Sequence, residues 1–144
     1  MGVDRSILLS GRVGAAERGR RAEEAACADL REQGFEILER NLRVGGVEVD
    51  VVAREGGVLV FVEVRSRSSL RHGAPWESVG RAKQARIVRA AAAYLASVRG
   101  PVPQVRFDVV GVQWSPEGPV CTLFRGAFEA QSGSGRFHGP TNLF

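Results

Sequence analysis

Three carboxylates and one guanidinium are the residues of this chain whose types and spacing could do chemistry: Glu23, Asp50, Glu63 and Arg65. Glu63 interrupts the apolar run VLVFVEV at Val58 to Val64. An ionised carboxylate inside a strand covered on both faces is costly unless it is paired or binds a cation. Arg65, two residues further on the same face, is one partner, and a rim ion pair alone would explain a lone Glu-x-Arg. Asp50 changes the problem. It sits in VEVDVVA, at 47 to 53, and a short turn at Arg54-Glu55-Gly56-Gly57 would fold that strand back onto the apolar run. The two carboxylates then converge, repelling each other unless a positive charge lies between them. A hard divalent cation with oxygen ligands meets that need.

The elements that must position these groups follow from periodicity. Gly14 to Gln33, rich in Ala, Glu and Arg, predicts a first helix with Gly34 as its C-terminal cap. There Glu23, Ala26, Cys27 and Leu30 share one stripe, so Glu23 joins the face expected to meet a sheet. Strands are expected at Phe35 to Arg40, Val47 to Ala53 and Val58 to Val64. Strict alternation would place Val47, Val49 and Val51 on one face and Glu48, Asp50 and Val52 on the other. In the third strand it places Val58, Val60, Val62 and Val64 opposite Leu59, Phe61, Glu63 and Arg65. A second helix is expected over Glu77 to Val98, packing through Ile87, Ala91, Tyr94, Leu95 and Val98, with Lys83, Arg86 and Arg89 roughly opposite. Strands over Val105 to Trp114 and Val120 to Phe124, around a turn at 115 to 119, complete the order α-β-β-β-α-β-β. This is an α/β fold: a mixed central sheet flanked by helices. Residues 1–13 read as a flexible lead, 14–130 as one domain, and the Ser/Gly-bearing 131–144 as a disordered tail.

Composition bounds the function. With 144 residues, 44% hydrophobic and 25% charged, the chain is neither a disordered polyelectrolyte nor, with two cysteines, a disulfide scaffold. No apolar run approaches the roughly 20 residues that span a bilayer, and the N-terminus lacks a signal-peptide layout, so a cytoplasmic protein without a membrane partner is expected. The net charge of +4 is unevenly placed. Residues 65–99 hold eight basic side chains and one acidic, whereas residues 1–64 hold nine basic and twelve acidic. A basic segment of this kind suits a polyanion, and also suits a solvated helix face. Of the 20 basic residues 19 are arginine, and Lys83 is the single lysine. His72 and His138 have no metal-ligand company. Trp76 could stack on a base or simply pack at a helix start.

The blocks GRRAEEAACADLREQGFEILERN, GGVEVDVVAREGGVLVFVEVRSR, RAKQARIVRAAAAYL and VRFDVVGV, in that order over about residues 14–113, resemble the YraN family of small uncharacterised bacterial proteins. That family is assigned to the restriction-endonuclease-like PD-(D/E)xK fold and is similar to archaeal Holliday-junction resolvases. The resemblance implies catalytic positions at Glu23, Asp50, Glu63 and Arg65. It implies Mg²⁺ or Mn²⁺ held at Asp50, Glu63 and Val64, and a polar pair, Lys83 and Gln84, on the following helix. Two departures are visible: Arg65 stands where the E-x-K element has lysine, and Gly46 lies one residue further from Asp50 than in Gly-Glu-x-Asp. Arginine stays protonated at neutral pH, so it can orient a nucleophile or clamp a phosphate but cannot serve as a general base.

Three functions are compatible with these residues. The first is a metal-dependent nuclease acting on DNA, branched DNA included, with phosphate contacts from Arg67, Arg71, Arg81, Lys83, Gln84, Arg86 and Arg89. The second is a nucleic-acid-binding module without cleavage, and the third an interaction domain whose acids are merely ion-paired. Cleavage of a symmetric junction would require two copies of the chain, a homodimer.

Overall fold

The computed structural model describes residues 14–67 and 79–130. The lead and the tail expected at 1–13 and 131–144 lie outside them, as do Arg71, His72, Trp76, Glu77 and His138.

The element order is α1 (Ala15–Glu32), β1 (Glu36–Val44), β2 (Val47–Glu55), β3 (Val58–Arg67), α2 (Arg81–Ser97), β4 (Gln104–Ser115) and β5 (Gly118–Phe128). This is the expected α-β-β-β-α-β-β succession. The strands form one five-stranded sheet in the order β1-β2-β3-β4-β5. All neighbours are antiparallel except β3 and β4, which run parallel because the crossover through α2 returns the chain to the level at which β3 began, Gln104 pairing with Val58.

Local chemistry accounts for the boundaries. Helix α1 ends where Gly34 takes φ 98°, its N–H bonding the Arg31 carbonyl while the Phe35 N–H bonds that of Leu30. β1 and β2 meet at the Val44/Val47 pair, so Gly45 and Gly46 form a two-residue loop with φ 61° and 77°. That conformation wants glycine at both positions. The spacing of Gly46 from Asp50 is therefore set by a hairpin. No heavy atom lies within 4 Å of where a Gly46 Cβ would sit, so this glycine makes no close approach to a site. Helix α2 begins later than expected, at Arg81, because Gly80 is extended (ψ 164°), and it ends before Val98, which is likewise extended and exposed.

A helix covers each face of the sheet. Under α1, Ala22, Ala26, Cys27 and Leu30 pack on Val51, Ala53, Val60, Val62, Val110 and Val112. Under α2, Ile87, Ala90 and Ala91 pack on Val49, Val52, Leu59, Phe61, Val105 and Phe107. Phe61 stacks on Phe107 and meets Tyr94 edge-on. The alternation expected for β3 holds: its even-numbered valines lie toward α1, Leu59 and Phe61 toward α2.

In β2 the expected alternation fails. Val47 and Val49 pack with Val52 beneath α2, while Val51 and Ala53 pack beneath α1. The phase slips at Asp50. The cause is the sheet itself: β2 pairs with β3 only from Val51 to Glu55, so ahead of Val51 the strand is not held to the pleat of its inner neighbour.

Candidate active site

The slip in β2 places Asp50 at the opening between two central strands. The ladder stops at the Val51/Val62 pair, and beyond it the Val64 amide donates instead to Asp50 Oδ2 at 2.8 Å. Glu63 follows Phe61 on the α2 side of β3, and its side chain is only 2% exposed. The two strand carboxylates thus stand together, as their spacing predicts. Desolvation of the Asp50 carboxyl, reinforced by the charge of Glu63, pushes its pKa up to about 7.

The cations around Glu63 are arranged unequally. Lys83 Nζ lies 2.8 Å from Glu63 Oε2, and Arg65 Nη1 lies 3.5 Å from the same oxygen. Glu63 Oε1 is buried with no hydrogen-bond partner. An unpaired buried carboxylate oxygen is expensive, which marks this point as a place for a further donor or cation.

The position of Lys83 corrects the helical reading made from sequence. Lys83 and Ile87 are four residues apart, about 40° around α2, so both fall on the stripe that meets the sheet. The basic face of α2 is Arg81, Arg86 and Arg89, all exposed. Gln84 is used locally: its Nε2 donates to the Val79 carbonyl at 2.8 Å, fastening the start of the helix. Arg67 is the last residue of β3, and Arg71 lies outside the described residues.

Glu23 approaches from α1. Partial burial raises its pKa, offset by a hydrogen bond from the Asn41 side chain, and the charges of Glu48, Arg40 and Glu63 are also felt there. Asn41 is a site residue that sequence reading missed. It lies between the pairs Arg40/Val51 and Leu42/Val49, across from Asp50, and has φ 52°. Asparagine tolerates that left-handed conformation better than other L-residues. An asparagine inside an otherwise strand-like ERNLR was the available signal.

Asp50 and Glu63, with one oxygen left unpartnered, have the donor chemistry of a hard divalent cation such as Mg²⁺ or Mn²⁺. Among the described residues, however, no three acidic, imidazole or thiol groups form a ready-made cage. Val64 contributes its amide to Asp50. The protein supplies two carboxylates, so water or substrate oxygens would complete the shell.

A second charged cluster runs from Glu55, at the end of β2, to Asp108, which pairs with Val62 of β3. Arg106 donates to both Asp108 oxygens at 2.8 Å and to Glu55 at 2.6 Å, and Arg125 makes a two-pronged contact with Glu55. Both guanidiniums lie over the Phe35 ring. Asp108 is fully buried and also accepts the Gly126 amide. Every carboxylate here is satisfied, in contrast to Glu63.

Among the described residues no helix is long and apolar enough to cross a membrane. The chain is 48% identical over 118 residues to a UPF0102 protein of Anaeromyxobacter sp. (strain Fw109-5), covering 82% of this chain and 89% of that relative. It is 45% identical over 123 residues to one of Symbiobacterium thermophilum, covering 85% of this chain and all of that relative. A third, from Syntrophotalea carbinolica, is 46% identical over 111 residues, covering 77% and 90%. The family model of the uncharacterised protein family UPF0102 matches residues 22–112, a span that runs from α1 through β4 and contains Glu23, Asp50, Glu63 and Lys83. The chain belongs to this family, the YraN family that its sequence blocks resemble.

Proposed function

We propose that this protein is a cytoplasmic, metal-dependent nuclease that hydrolyses phosphodiester bonds in DNA, with branched or otherwise structured DNA as the favoured substrate. One observation carries the reading: the buried, unpartnered Oε1 of Glu63 beside Asp50, in a site to which strands and both helices each bring a charged group. The YraN resemblance, with its PD-(D/E)xK assignment, points the same way.

Asp50 and Glu63 would hold the ion, with Val64 fixing Asp50 through its amide. Bound there, Mg²⁺ or Mn²⁺ would supply Lewis acidity and charge neutralisation at a phosphate. The chain's own residues do the remainder. Arg65, permanently protonated, clamps or orients phosphate and takes up no proton. Arg81, Arg86 and Arg89 form the exposed basic face of α2 and offer contacts to a nucleic-acid backbone, to which Arg67 and Arg71 are expected from the sequence to add. Such contacts position the substrate without reading its sequence.

Labelled duplex, single-stranded and four-way-junction DNA incubated with the purified protein in Mg²⁺ or Mn²⁺ tests the reading. Cleavage is expected, and is expected to vanish in Asp50→Ala and in Glu63→Ala. Activity that survives both substitutions overturns it.

A second reading, a nucleic-acid-binding module without cleavage, is favoured by a different observation: Glu63 Oε2 already carries both Lys83 and Arg65, and Arg65 stands in the lysine position. It requires DNA retention that weakens with salt and with Arg86→Glu and Arg89→Glu, alongside no heat of Mn²⁺ binding. Metal affinity that disappears in Asp50→Asn excludes it.

A further inference from the structure

Lys83 is the single lysine among 20 basic residues, and its ammonium reaches the buried Glu63 of the candidate site. In a chain whose cations are otherwise all arginine, the exception falls where a compact charge on a flexible stem meets a confined carboxylate. We propose that Lys83 is the resident cation of the Asp50–Glu63 site: it holds Glu63 while no divalent ion is present, and an arriving ion displaces it toward a nucleic-acid phosphate. This inference rests on the metal reading given above and assigns its regulation.

The geometry favours exchange over permanent pairing. Lys83 and Arg65 both address Oε2, at 2.8 Å and 3.5 Å, and leave Oε1 without a partner. Two cations therefore share one oxygen while its buried twin is unsatisfied. A divalent ion taken up by Asp50 and Glu63 would satisfy Oε1, and it would also bring two positive charges against the ammonium at close range. The charge that must leave is the movable one. The Lys83 side chain is 38% exposed, so its stem can swing to solvent without unpacking the core. Arg86, one turn along α2, is already exposed. A displaced Lys83 comes beside Arg86, three residues on, at the edge of the exposed face that carries Arg81 and Arg89. Metal occupancy and nucleic-acid affinity are then coupled through one side chain, and the coupling is reciprocal.

The experiment is a calorimetric Mn²⁺ titration, metal alone, of wild type, Lys83→Met, Lys83→Gln and Asp50→Asn, with circular dichroism confirming that each variant folds. Removing the competing ammonium is expected to tighten Mn²⁺ binding about tenfold in both Lys83 variants, and Asp50→Asn to abolish it. Binding seen only in the Lys83 variants also supports displacement. In a second measurement, on duplex DNA, the salt slope with Ca²⁺ is compared with that in chelator. The ion-dependent steepening is expected to be larger in wild type than in Lys83→Met by about one phosphate contact. Wild-type binding that is unchanged or weakened in both Lys83 variants overturns the displacement while leaving the metal site standing. Absence of Mn²⁺ binding in all four proteins overturns both.

Discussion

Asp50 Oδ2 accepts the Val64 amide at 2.8 Å, so a side-chain carboxylate closes the gap where the β2–β3 ladder ends. The same contact gives the acid a structural task at a partly buried position: it satisfies a main-chain donor that the neighbouring strand no longer pairs. The cost is a carboxyl held far above its ordinary range.

That cost has a pH dependence. The Asp50 pKa is raised from 3.8 to about 7 in the folded state, so between those values the native chain keeps a proton that the unfolded chain has lost. Stability therefore falls as pH rises through that window and levels off above it. Asp50→Asn removes the penalty while its amide oxygen still accepts from Val64. Urea unfolding at pH 8 without metal is expected to show the variant more stable than wild type by about 1–3 kcal/mol, with the difference shrinking toward pH 4.

Glu55 works in the opposite direction. The hydrogen bonds from Arg125, the largest cause, and from Arg106 hold its pKa down from 4.5 to about 2. Its contribution is complete above pH 4.5 and is lost as pH falls toward 2. Glu55→Gln is expected to be less stable than wild type at pH 7 and to show a smaller further loss of stability from pH 4.5 to 2, measured by thermal unfolding across that range.

Asp108, in β4, is fully buried at the point where the β4–β5 register slips between Phe107 and Val109. Its carboxylate accepts two bonds from Arg106 and one from Gly126, a glycine at φ 63°. Asp108→Ala leaves the Gly126 amide without its acceptor and Arg106 with Glu55 as its one remaining carboxylate partner among the described residues. The expected loss is about 1–3 kcal/mol in urea unfolding, whereas Arg86→Ala, on an exposed helix face, is expected to change stability by less than about 0.5 kcal/mol.

The thiols are expected to be slow. Burial pushes Cys121 from 9.0 up to about 11, and Cys27 is buried in the core beneath α1 with its pKa raised as well. At pH 7.5 the thiolate fraction of Cys121 falls about 100-fold below that of an ordinary cysteine. Intact-mass measurement after iodoacetamide treatment is expected to show the folded protein largely unmodified and the urea-unfolded protein alkylated twice.

The strands and helices were legible in the sequence because their signals are local. The VLVFV run, the Gly34 cap and the hairpin glycines each act through neighbours within a few residues, so the order α-β-β-β-α-β-β and the inward face of α1 follow from pattern alone. The convergence of Asp50 with Glu63 was legible too, because a two-residue turn leaves adjacent strands little choice of register.

What pattern could not supply was the behaviour of groups whose surroundings come from distant segments. Alternation put Val47 and Val49 on the face of Val51, whereas they pack with Val52, since the slip in β2 lies beyond the end of its pairing with β3. Asn41 gained its role only when β1 lay across from Asp50 and α1 brought Glu23 above it. Lys83 was assigned to the solvent side of α2, yet the parallel crossover from β3 to β4 seats that helix over Glu63 and draws the ammonium inward. The sequence by itself determined the elements and the candidate acids, through periodicities that neighbouring residues enforce. Tertiary structure alone decided which cation meets which carboxylate, because that depends on burial and distance between segments far apart in the chain.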